Sequence, residues 1–372
     1  MTKSIVSLKA FSKFAVNKKN FSAMTTPSTS VLIIYTGGTI GMTQNPETGA
    51  LEPFDFSHLL DNVPELSRLG YKISTVQFDP IIDSSETEPS QWAKIVRVIA
   101  ENYNKYDGFV VLHGTDTMAY TASAVSFMLE NLGKPVIFTG SQLPIGMLRT
   151  DGKENLITAI EIAADRNENG TPIVPEVCIF FDNSLMRGNR TCKVSAQFFN
   201  AFVSPNYPLL AHVGININYD DVEIHYPDKD MPLIPHYEMD NNVVVLKLFP
   251  GINRHVVHQA LNIPGLKGVV LESFGSGNAP RYDWFLEELR DAVQRGLVIV
   301  NVTQCSTGSV QMELYRAGNT LRDIGVISGY DSTTEAALAK LMYLFGLGLS
   351  SEEVKEAMRH SYVGEITLPR QN

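Results

Sequence analysis

The fold is decided by a short apolar run that ends in a loop of glycine and threonine, Val31-Leu32-Ile33-Ile34-Tyr35-Thr36-Gly37-Gly38-Thr39. β-Branched and aromatic side chains fill the run and glycines end it, a pattern typical of a buried strand followed by a tight turn. Three more runs of this kind follow, Phe109–Leu112, Val136–Thr139 and Val177–Phe181. Because they are apolar on both faces, they predict strands of a parallel sheet covered by helices on both sides.

Segments with helical spacing of apolar residues alternate with these strands. In the first half of the chain they are Gln91–Asn102, Met118–Leu132 and Asn155–Arg166. A second alternating unit has strands Val243–Leu248, Val269–Leu271 and Val298–Val302, with helices His255–Leu261 and Asp283–Arg295, and closes on helices Thr333–Leu344 and Ser351–His360. The alternation predicts an α/β protein of two domains, each with a mostly parallel sheet and crossover helices.

Composition changes along the chain suggest the domain limits. Residues 1–30 carry five lysines and no acid, and their apolar runs are too short for a signal peptide, so we expect a disordered tail or a start upstream of the true initiator, Met24. The stretch Val203–Asp240 is rich in Pro, Asn, Asp and Tyr and has little periodicity. We therefore predict a first domain at 31–215, a linker at 216–242 and a second domain at 243–372.

The overall composition excludes several classes of partner. The 372 residues carry a net charge of −10, which does not suit a nucleic acid. No apolar stretch approaches the roughly 18 residues of a membrane span. Three scattered cysteines are too few for a disulfide framework. The sequence therefore predicts a cytoplasmic protein that acts on a small molecule.

Three polar loops that follow predicted strands are candidates for a functional site, Thr36–Thr39, His113–Thr117 and Arg187–Lys193. Ligands of open parallel sheets bind beyond the carboxyl ends of the strands, so we expect these loops to converge there. A threonine hydroxyl becomes a nucleophile when a base or cation activates it, and the third loop ends in a lysine. The residues alone leave open whether the nucleophile is Thr36 or Thr39.

Each loop also has a purely structural interpretation: a tight turn, a helix cap and a solvated basic turn, respectively. Metal chemistry has little support, because His255 and His258 lack a third ligand at suitable spacing. Neither a dinucleotide nor a P-loop fingerprint is present, and Cys305 has no catalytic signature. We therefore expect neither a metal nor an organic cofactor.

Two of the loops together resemble the signatures of the bacterial-type asparaginase family, in its cytosolic type I branch. They stand here as Tyr35-Thr36-Gly37-Gly38-Thr39-Ile40-Gly41 and Leu112-His113-Gly114-Thr115-Asp116-Thr117-Met118. Both occur in the family's order with Lys193 downstream, and the resemblance extends from residue 31 to about residue 368. It implies an L-asparaginase, which converts L-asparagine to L-aspartate and ammonia, in a homodimer or homotetramer.

The resemblance also implies a role for each residue of the site. Thr39 matches the nucleophile that forms an acyl-enzyme with the side-chain carboxamide carbon. Thr115, Asp116 and Lys193 match a second triad, in which the lysine polarises the threonine and the threonine assists proton transfer and the attack of water. Asp116 also matches the position that binds the substrate α-amino group, a role suited to a carboxylate. Asp83-Ser84-Ser85 matches the segment that holds the α-carboxylate, and Thr115 is also expected among the substrate-binding residues.

Two positions depart from the family pattern. A mobile loop after the nucleophile often supplies a tyrosine, but Ala50 occupies that position here, and Tyr315 is our candidate replacement. Allosteric members of the cytosolic branch have an arginine where this chain has Glu272. A carboxylate cannot bind an effector carboxylate as arginine does, so the resemblance does not extend to that regulation.

Other functions fit parts of the sequence. Within the same fold, the alternatives are a glutaminase-asparaginase and the amidase subunit of a tRNA-dependent amidotransferase, whose extra N-terminal domain would not fit in residues 1–30. In a different class, a ligand sensor could keep the crevice without catalysis. Retention of both triad threonines, Asp116 and Lys193 favours an enzyme.

Overall fold

The computed structural model describes residues 29–44, 48–49, 51–53, 63–312 and 316–368. The helices in these ranges are α1 Pro89–Asn102, α2 Met118–Met128, α3 Gly152–Ala164, α4 Arg254–Leu261, α5 Asp283–Gln294, α6 Arg316–Ile324, α7 Thr334–Gly346 and α8 Ser351–Ala357. The strands are β1 Ser30–Tyr35, β2 Met42–Gln44, β3 Leu51–Pro53, β4 Lys72–Gln77, β5 Gly108–Leu112, β6 Leu129–Glu130, β7 Val136–Thr139, β8 Val177–Phe181, β9 Ser184–Arg187, β10 Cys192–Lys193, β11 Phe202–Val203, β12 Ala211–Val213, β13 Ile217–Tyr219, β14 Ile234–Pro235, β15 Val243–Lys247, β16 Gly268–Ser273, β17 Val298–Thr303 and β18 Ile327–Ser328. Most of the predicted tail (1–28), Ala50 and Tyr315 lie outside the described residues.

The first domain is built on an eight-stranded sheet in the order β13-β12-β9-β8-β7-β5-β1-β4. The five strands β8, β7, β5, β1 and β4 run parallel to one another. At the other end of the sheet, β9 pairs antiparallel with β8, β12 with β9, and β13 with β12. The direction changes at the β8–β9 hairpin, where Asp182 and Asn183 have φ angles of 46° and 62°. Two successive positive φ angles match a type I′ turn, whose twist suits the strands that it joins, and Asp and Asn tolerate this conformation.

The second domain has a four-stranded, fully parallel sheet in the order β15-β16-β17-β18, with α4, α5 and α6 between successive strands in the chain. The predicted fold class is therefore confirmed: the protein is α/β, with two domains and mostly parallel sheets. None of the helices in the described part of the chain is long and apolar enough to cross a bilayer.

Alternate residues of β1 enter two different apolar cores, because successive strand side chains point to opposite faces. Leu32 and Ile34 belong to the core that contains α1 and α2, whereas Ile33 belongs to the core that contains α3. The first core continues into the second domain, where Phe127 of α2 stacks on Tyr343 of α7 with ring centroids 5.9 Å apart. The two domains therefore bury a common apolar surface.

The stretch expected to be a linker contains two short strands. Ile217–Tyr219 (β13) pairs with β12 and belongs to the first sheet. Ile234–Pro235 (β14) pairs with Leu129–Glu130 (β6), so the helix predicted for Met118–Leu132 ends at Met128. The partner of β13 is the strand immediately before it, whereas β14 and β6 lie about a hundred residues apart, and local composition does not reveal such a distant partner.

The chain after α8 is bound to α7 by a buried ion pair. Lys340 and Glu365 are each 1% exposed, and Lys340 Nζ lies 2.6 Å from Glu365 Oε1. Lys340 also donates to the carbonyl of His360, and the Glu365 carboxylate accepts from the backbone N–H groups of Tyr362 and Val363. These additional hydrogen bonds are what a buried ion pair needs to offset its desolvation.

We expect Lys340→Met to destabilise the protein strongly. It leaves the buried Glu365 carboxylate without its cation, a change that costs about 3–5 kcal/mol. Lys355→Met is the matched control, because Lys355 pairs at 2.6 Å with a Glu352 side chain that is 83% exposed. Such a pair contributes less than about 1 kcal/mol. Urea unfolding followed by circular dichroism measures both variants, and equal losses would contradict the prediction.

Candidate active site

The carboxyl ends of three neighbouring parallel strands bring the predicted site loops together. Thr36–Thr39 follows β1, Asp83–Ser85 lies beyond β4, and His113–Thr117 follows β5. Because β1 lies between β4 and β5, its loop touches both of the others. The structure thus places these predicted residues at the sheet edge where the sequence pattern predicts a ligand site.

Glycines make this convergence possible. A Cβ atom on Gly37 would lie 2.0 Å from the carbonyl oxygen of Ile82, and one on Gly38 would lie 2.5 Å from the amide nitrogen of Gly114. A Cβ atom on Gly114 would lie 2.3 Å from Ser84 Oγ. Gly37 and Gly38 also have φ angles of 144° and 92°, which side chains disfavour. The three loops therefore approach each other backbone to backbone, closer than residues with side chains could.

The two threonines of the first loop, between which the sequence left the nucleophile open, have different environments. Thr36 is 1% exposed, and its hydroxyl donates a 2.9 Å hydrogen bond to the carbonyl of Leu112. Thr39 is half-buried and begins a 3₁₀ turn, Thr39–Gly41. Its hydroxyl has no hydrogen-bond partner among the residues that the structure describes. Thr36 thus connects β1 to β5, and the Thr39 hydroxyl is the one available to a substrate.

Lys193 contacts the loop His113–Thr117 but lies on the short strand β10, which is not one of the parallel strands. Its Nζ donates to Thr115 Oγ1 at 2.8 Å and to Asp116 Oδ1 at 2.7 Å. The lysine side chain is 18% exposed, whereas that of Asp116 is 63% exposed. The cation is therefore largely sheltered beside the Thr115 hydroxyl, while the carboxylate remains open to solvent and to a ligand.

Gln142 is a site residue to which the sequence pattern assigned no role. Its Oε1 lies 3.5 Å from Thr115 Oγ1, and its Nε2 donates to the carbonyl of Phe198 at 3.1 Å. The carboxylate of Asp151 accepts hydrogen bonds from the backbone N–H groups of Gln142 and Leu143, which fixes the loop after β7. The position of this loop at the sheet edge was predictable, but its contact with Thr115 was not.

Asp83 organises the loop beyond β4. Its carboxylate accepts hydrogen bonds from both the N–H and the hydroxyl of Ser85, each at 2.9 Å, and the Ser85 N–H lowers the pKa of Asp83. The carbonyl of Ser84 accepts from the Thr117 hydroxyl at 2.7 Å, which joins this loop to the second signature. Asp83 therefore caps the Ser84–Glu86 turn.

His113 is a buried, uncharged support of the second loop. Its Nδ1 lies 2.7 Å from the carbonyl of Gly114 and its Nε2 lies 3.1 Å from the hydroxyl of Thr121, which also accepts from Trp92 Nε1. Burial lowers the pKa of His113 to about 4. These partners assign the proton to Nδ1, where it can be donated to the carbonyl, and leave Nε2 as an acceptor.

Glu272 lies in the second domain and is already paired. Its carboxylate accepts from the Thr334 hydroxyl at 2.7 Å and lies 3.3 Å from Lys247 Nζ. Within the described ranges, no three His, Cys, Asp or Glu side chains are grouped so that they could hold a metal ion.

Comparisons with known proteins identify the family. Residues 30–225 match the family described as "Asparaginase, N-terminal". Residues 242–358 match the family described as "Glutaminase/Asparaginase C-terminal domain". The chain belongs to the asparaginase family. This asparaginase-family chain is therefore an amidohydrolase.

Its relatives include L-asparaginases and a protein named as a lysophospholipase. It is 45% identical to L-asparaginase 1 of Escherichia coli K12, over 91% of this chain and 98% of that protein. It is 43% identical to the 60 kDa lysophospholipase of Mus musculus, over 92% of this chain and 63% of that protein. The crystal structure of L-asparaginase I from Vibrio cholerae matches with a TM-score of 0.83 and 44% identity, over 92% of this chain and 100% of the other.

We expect Gly38→Ala to abolish activity, because the new Cβ would meet the backbone of Gly114 and separate the first two loops. Gly214→Ala is the matched control, since a Cβ on Gly214 would have no atom within 4 Å. Turnover of both variants and circular dichroism spectra test this expectation. Near-normal turnover of a folded Gly38→Ala protein would contradict it.

We expect His113 to make stability depend on pH. Its folded-state pKa of about 4 lies below the value of about 6.5 for an unfolded chain, so the unfolded state binds more protons between these values. The free energy of unfolding should therefore fall by about 3 kcal/mol as the pH drops from about 6.5 to about 4.

Urea midpoints at several pH values measure this dependence for the unaltered protein and two variants. His113→Gln should flatten the curve, whereas His212→Gln, at an exposed position, should leave its shape unchanged. Identical curves for all three proteins would show that His113 does not contribute.

Proposed function

We propose that this protein is an L-asparaginase that hydrolyses the side-chain amide of L-asparagine to L-aspartate and ammonia through an acyl-enzyme on Thr39. The observation that carries the proposal is the contact of the two threonine loops at Gly38 and Gly114, with Lys193 Nζ 2.8 Å from the Thr115 hydroxyl. One available nucleophile and one cation-held hydroxyl then face the same crevice. The family membership supports this reaction.

The proposed reaction has two stages. In the first, Thr39 Oγ1 forms a bond to the amide carbon, and the carbon–nitrogen bond then breaks as the nitrogen leaves with an added proton as ammonia. In the second, a water molecule attacks the ester and restores the Thr39 hydroxyl. Thr115, held by Lys193, moves the proton in each stage. Backbone N–H groups of the two loops are the natural donors to the oxyanion.

The substrate would be held by the exposed parts of the site. Asp116, 63% exposed, is suited to the α-ammonium group. We assign the α-carboxylate to the turn Asp83-Ser84-Ser85, where the N–H and hydroxyl of Ser85 would turn from Asp83 to the substrate. A substrate ammonium at Asp116 would compete with Lys193 for the same carboxylate, which favours the contact of Lys193 with Thr115.

The remaining expectations belong to the same proposal. We place the enzyme in the cytoplasm, in agreement with the free thiols of Cys178, Cys192 and Cys305. We expect a homodimer or homotetramer, for which fully exposed apolar side chains such as Leu148 and Ile215 offer contact surface. The domain boundary is placed between the first sheet, which ends at Tyr219, and β15. The reaction as proposed uses no metal or cofactor.

Thr39→Ala should reduce asparagine turnover by up to about 10⁶, since it removes the nucleophile. Thr36→Val is the matched control in the same loop: it keeps the shape and removes only the hydrogen bond to Leu112, so it should lower stability by about 1 kcal/mol and retain turnover. Lys193→Met should also be severe. Ammonia release from asparagine measures all three. The mechanism is wrong if folded Thr39→Ala keeps more than a tenth of the activity.

The same preparations separate the alternatives. Ammonia release from glutamine tests the glutaminase activity that the sequence left open. Release of fatty acid from lysophosphatidylcholine tests the activity named in the mouse relative, whose ester bond could also be attacked by a threonine hydroxyl. A protein that binds aspartate but hydrolyses none of the three substrates would be a sensor.

A further inference from the structure

The segment that leads to Lys193 is buried although it is unusually polar. Residues 187–191 are all buried, and the arginine at its centre, Arg190, is among the largest fully buried side chains of the described residues. Gly188–Arg190 forms a single 3₁₀ turn, and Lys193 follows Arg190 by three residues. Since a buried guanidinium is costly unless it is paired, the partners of Arg190 indicate why it is there.

Among the described residues, the hydrogen-bond acceptors and the ion-pair partner of Arg190 lie in the second domain, while its guanidinium also lies 5.0 Å from the ring centroid of Tyr207 in the first domain. Its Nε donates to the carbonyl of Gly364 at 2.6 Å and its Nη2 donates to the Thr367 hydroxyl at 3.0 Å. Its Nη1 lies 3.0 Å from Asp331 Oδ1, and the same oxygen accepts from the backbone N–H of Thr367 at 2.7 Å. Arg190, Asp331 and Thr367 therefore form a closed set of contacts, here called the Arg190 clamp.

Other contacts of the segment point to the same part of the second domain. Cys192 Sγ lies 3.6 Å from a carboxylate oxygen of Glu335, in the first turn of α7. Asn189 Nδ2 donates to the carbonyl of Val363 at 3.0 Å. The chain is thus held to the second domain on both sides of Arg190, and the last contact comes one residue before Lys193.

Part of this segment borders a cavity. A cavity of about 260 Å³ is lined by Arg187 and Asn189 on one side and by Tyr362 and Val363 on the other. Side chains beside a void can shift, because they lack contacts there. Pairing of Cys192–Lys193 with Phe202–Val203 holds the segment in the first domain, and Arg190 supplies more of its hydrogen bonds to the second domain than any of its other residues.

We propose that Arg190 is a positioning residue, through which the second domain holds Lys193 at the Thr115 hydroxyl. Loss of the Arg190 clamp lets the strand Cys192–Lys193 move. A displacement of about 1 Å at a catalytic group is enough to slow a reaction about 10²-fold. This inference rests on the proposed role of Lys193, and it adds that the second domain contributes to catalysis without touching the substrate.

The first test is Arg190→Lys, which keeps the charge near Asp331 but cannot reach Gly364 and Thr367 as well. We expect kcat for asparagine to fall about 10- to 100-fold. KM should change less than kcat, because the Ser84 loop is unaffected and the exposed carboxylate of Asp116 remains in place for the α-ammonium group even when Lys193 moves. Thr367→Val, at an exposed position, removes one acceptor and should fold normally; its kcat should fall about 3- to 10-fold.

Arg166→Met is the matched control for removing a sheltered guanidinium. Arg166 donates to the carbonyls of Ala163 and Asp107, and Asp107 directly precedes β5, so this arginine lies at the opposite edge of the sheet. We expect it to lower the melting temperature without changing kcat. A fall in kcat equal to that of Arg190→Lys would overturn the proposal.

A double-mutant cycle separates positioning from general structural damage. In the Lys193→Met background, Arg190→Lys should change the residual kcat by less than about twofold, because the group that it positions is gone. The same loss in both backgrounds would overturn the proposal.

A crystal structure of the Arg190→Lys protein supplies a readout that needs no activity. The separation of Lys193 Nζ from Thr115 Oγ1 should increase from 2.8 Å to beyond hydrogen-bond range, above about 3.5 Å. A retained separation of 2.8 Å would overturn the proposal. If the unaltered protein releases no ammonia from asparagine, the proposed function fails, while this distance still decides whether Arg190 positions Lys193.

Discussion

The backbones of Gly38 and Gly114 approach each other at a distance that leaves no room for a Cβ atom, and the rest of the site is arranged around this contact. It requires that β1 and β5 be parallel neighbours, so that both loops leave the sheet at the same edge. The buried ring of His113 supports the same contact, because its Nδ1 lies 2.7 Å from the carbonyl of Gly114. A side chain at either glycine would push the two loops apart.

The positively charged group of the site, the Lys193 ammonium, comes from a different part of the fold. Lys193 belongs to a two-residue strand after the antiparallel hairpin, so the parallel strands do not determine its position. Its distance to Thr115 depends on a polar segment that is held by Asp331 and by the chain after α8. The Lys340–Glu365 pair holds that chain on α7. Residues far from the crevice thereby influence the geometry at its centre.

The sequence predicted a feature well where neighbouring residues alone determine it, and poorly where the partner is distant in the chain. The strands β1, β5, β7 and β8 were predicted almost to the residue, because each is a continuous apolar run that ends in glycine or polar residues. The end of α2 was predicted too late, since Leu129 and Glu130 continue the apolar pattern and yet pair with Ile234–Pro235. Gln142 was given no role for the same reason: its partners Thr115 and Phe198 are distant in sequence.

The sequence by itself determined the α/β class, the division into two mostly parallel sheets, and the loops that meet at the carboxyl ends of the strands. Periodicity and glycine placement are local properties, which a single chain displays without its partners. The tertiary structure distinguished the two threonines of the first loop, because Thr36 is buried and bonded to the carbonyl of Leu112 whereas Thr39 is half-buried. It also decided that the second domain reaches the site through Arg190, because a buried charge is explained only by the groups that surround it.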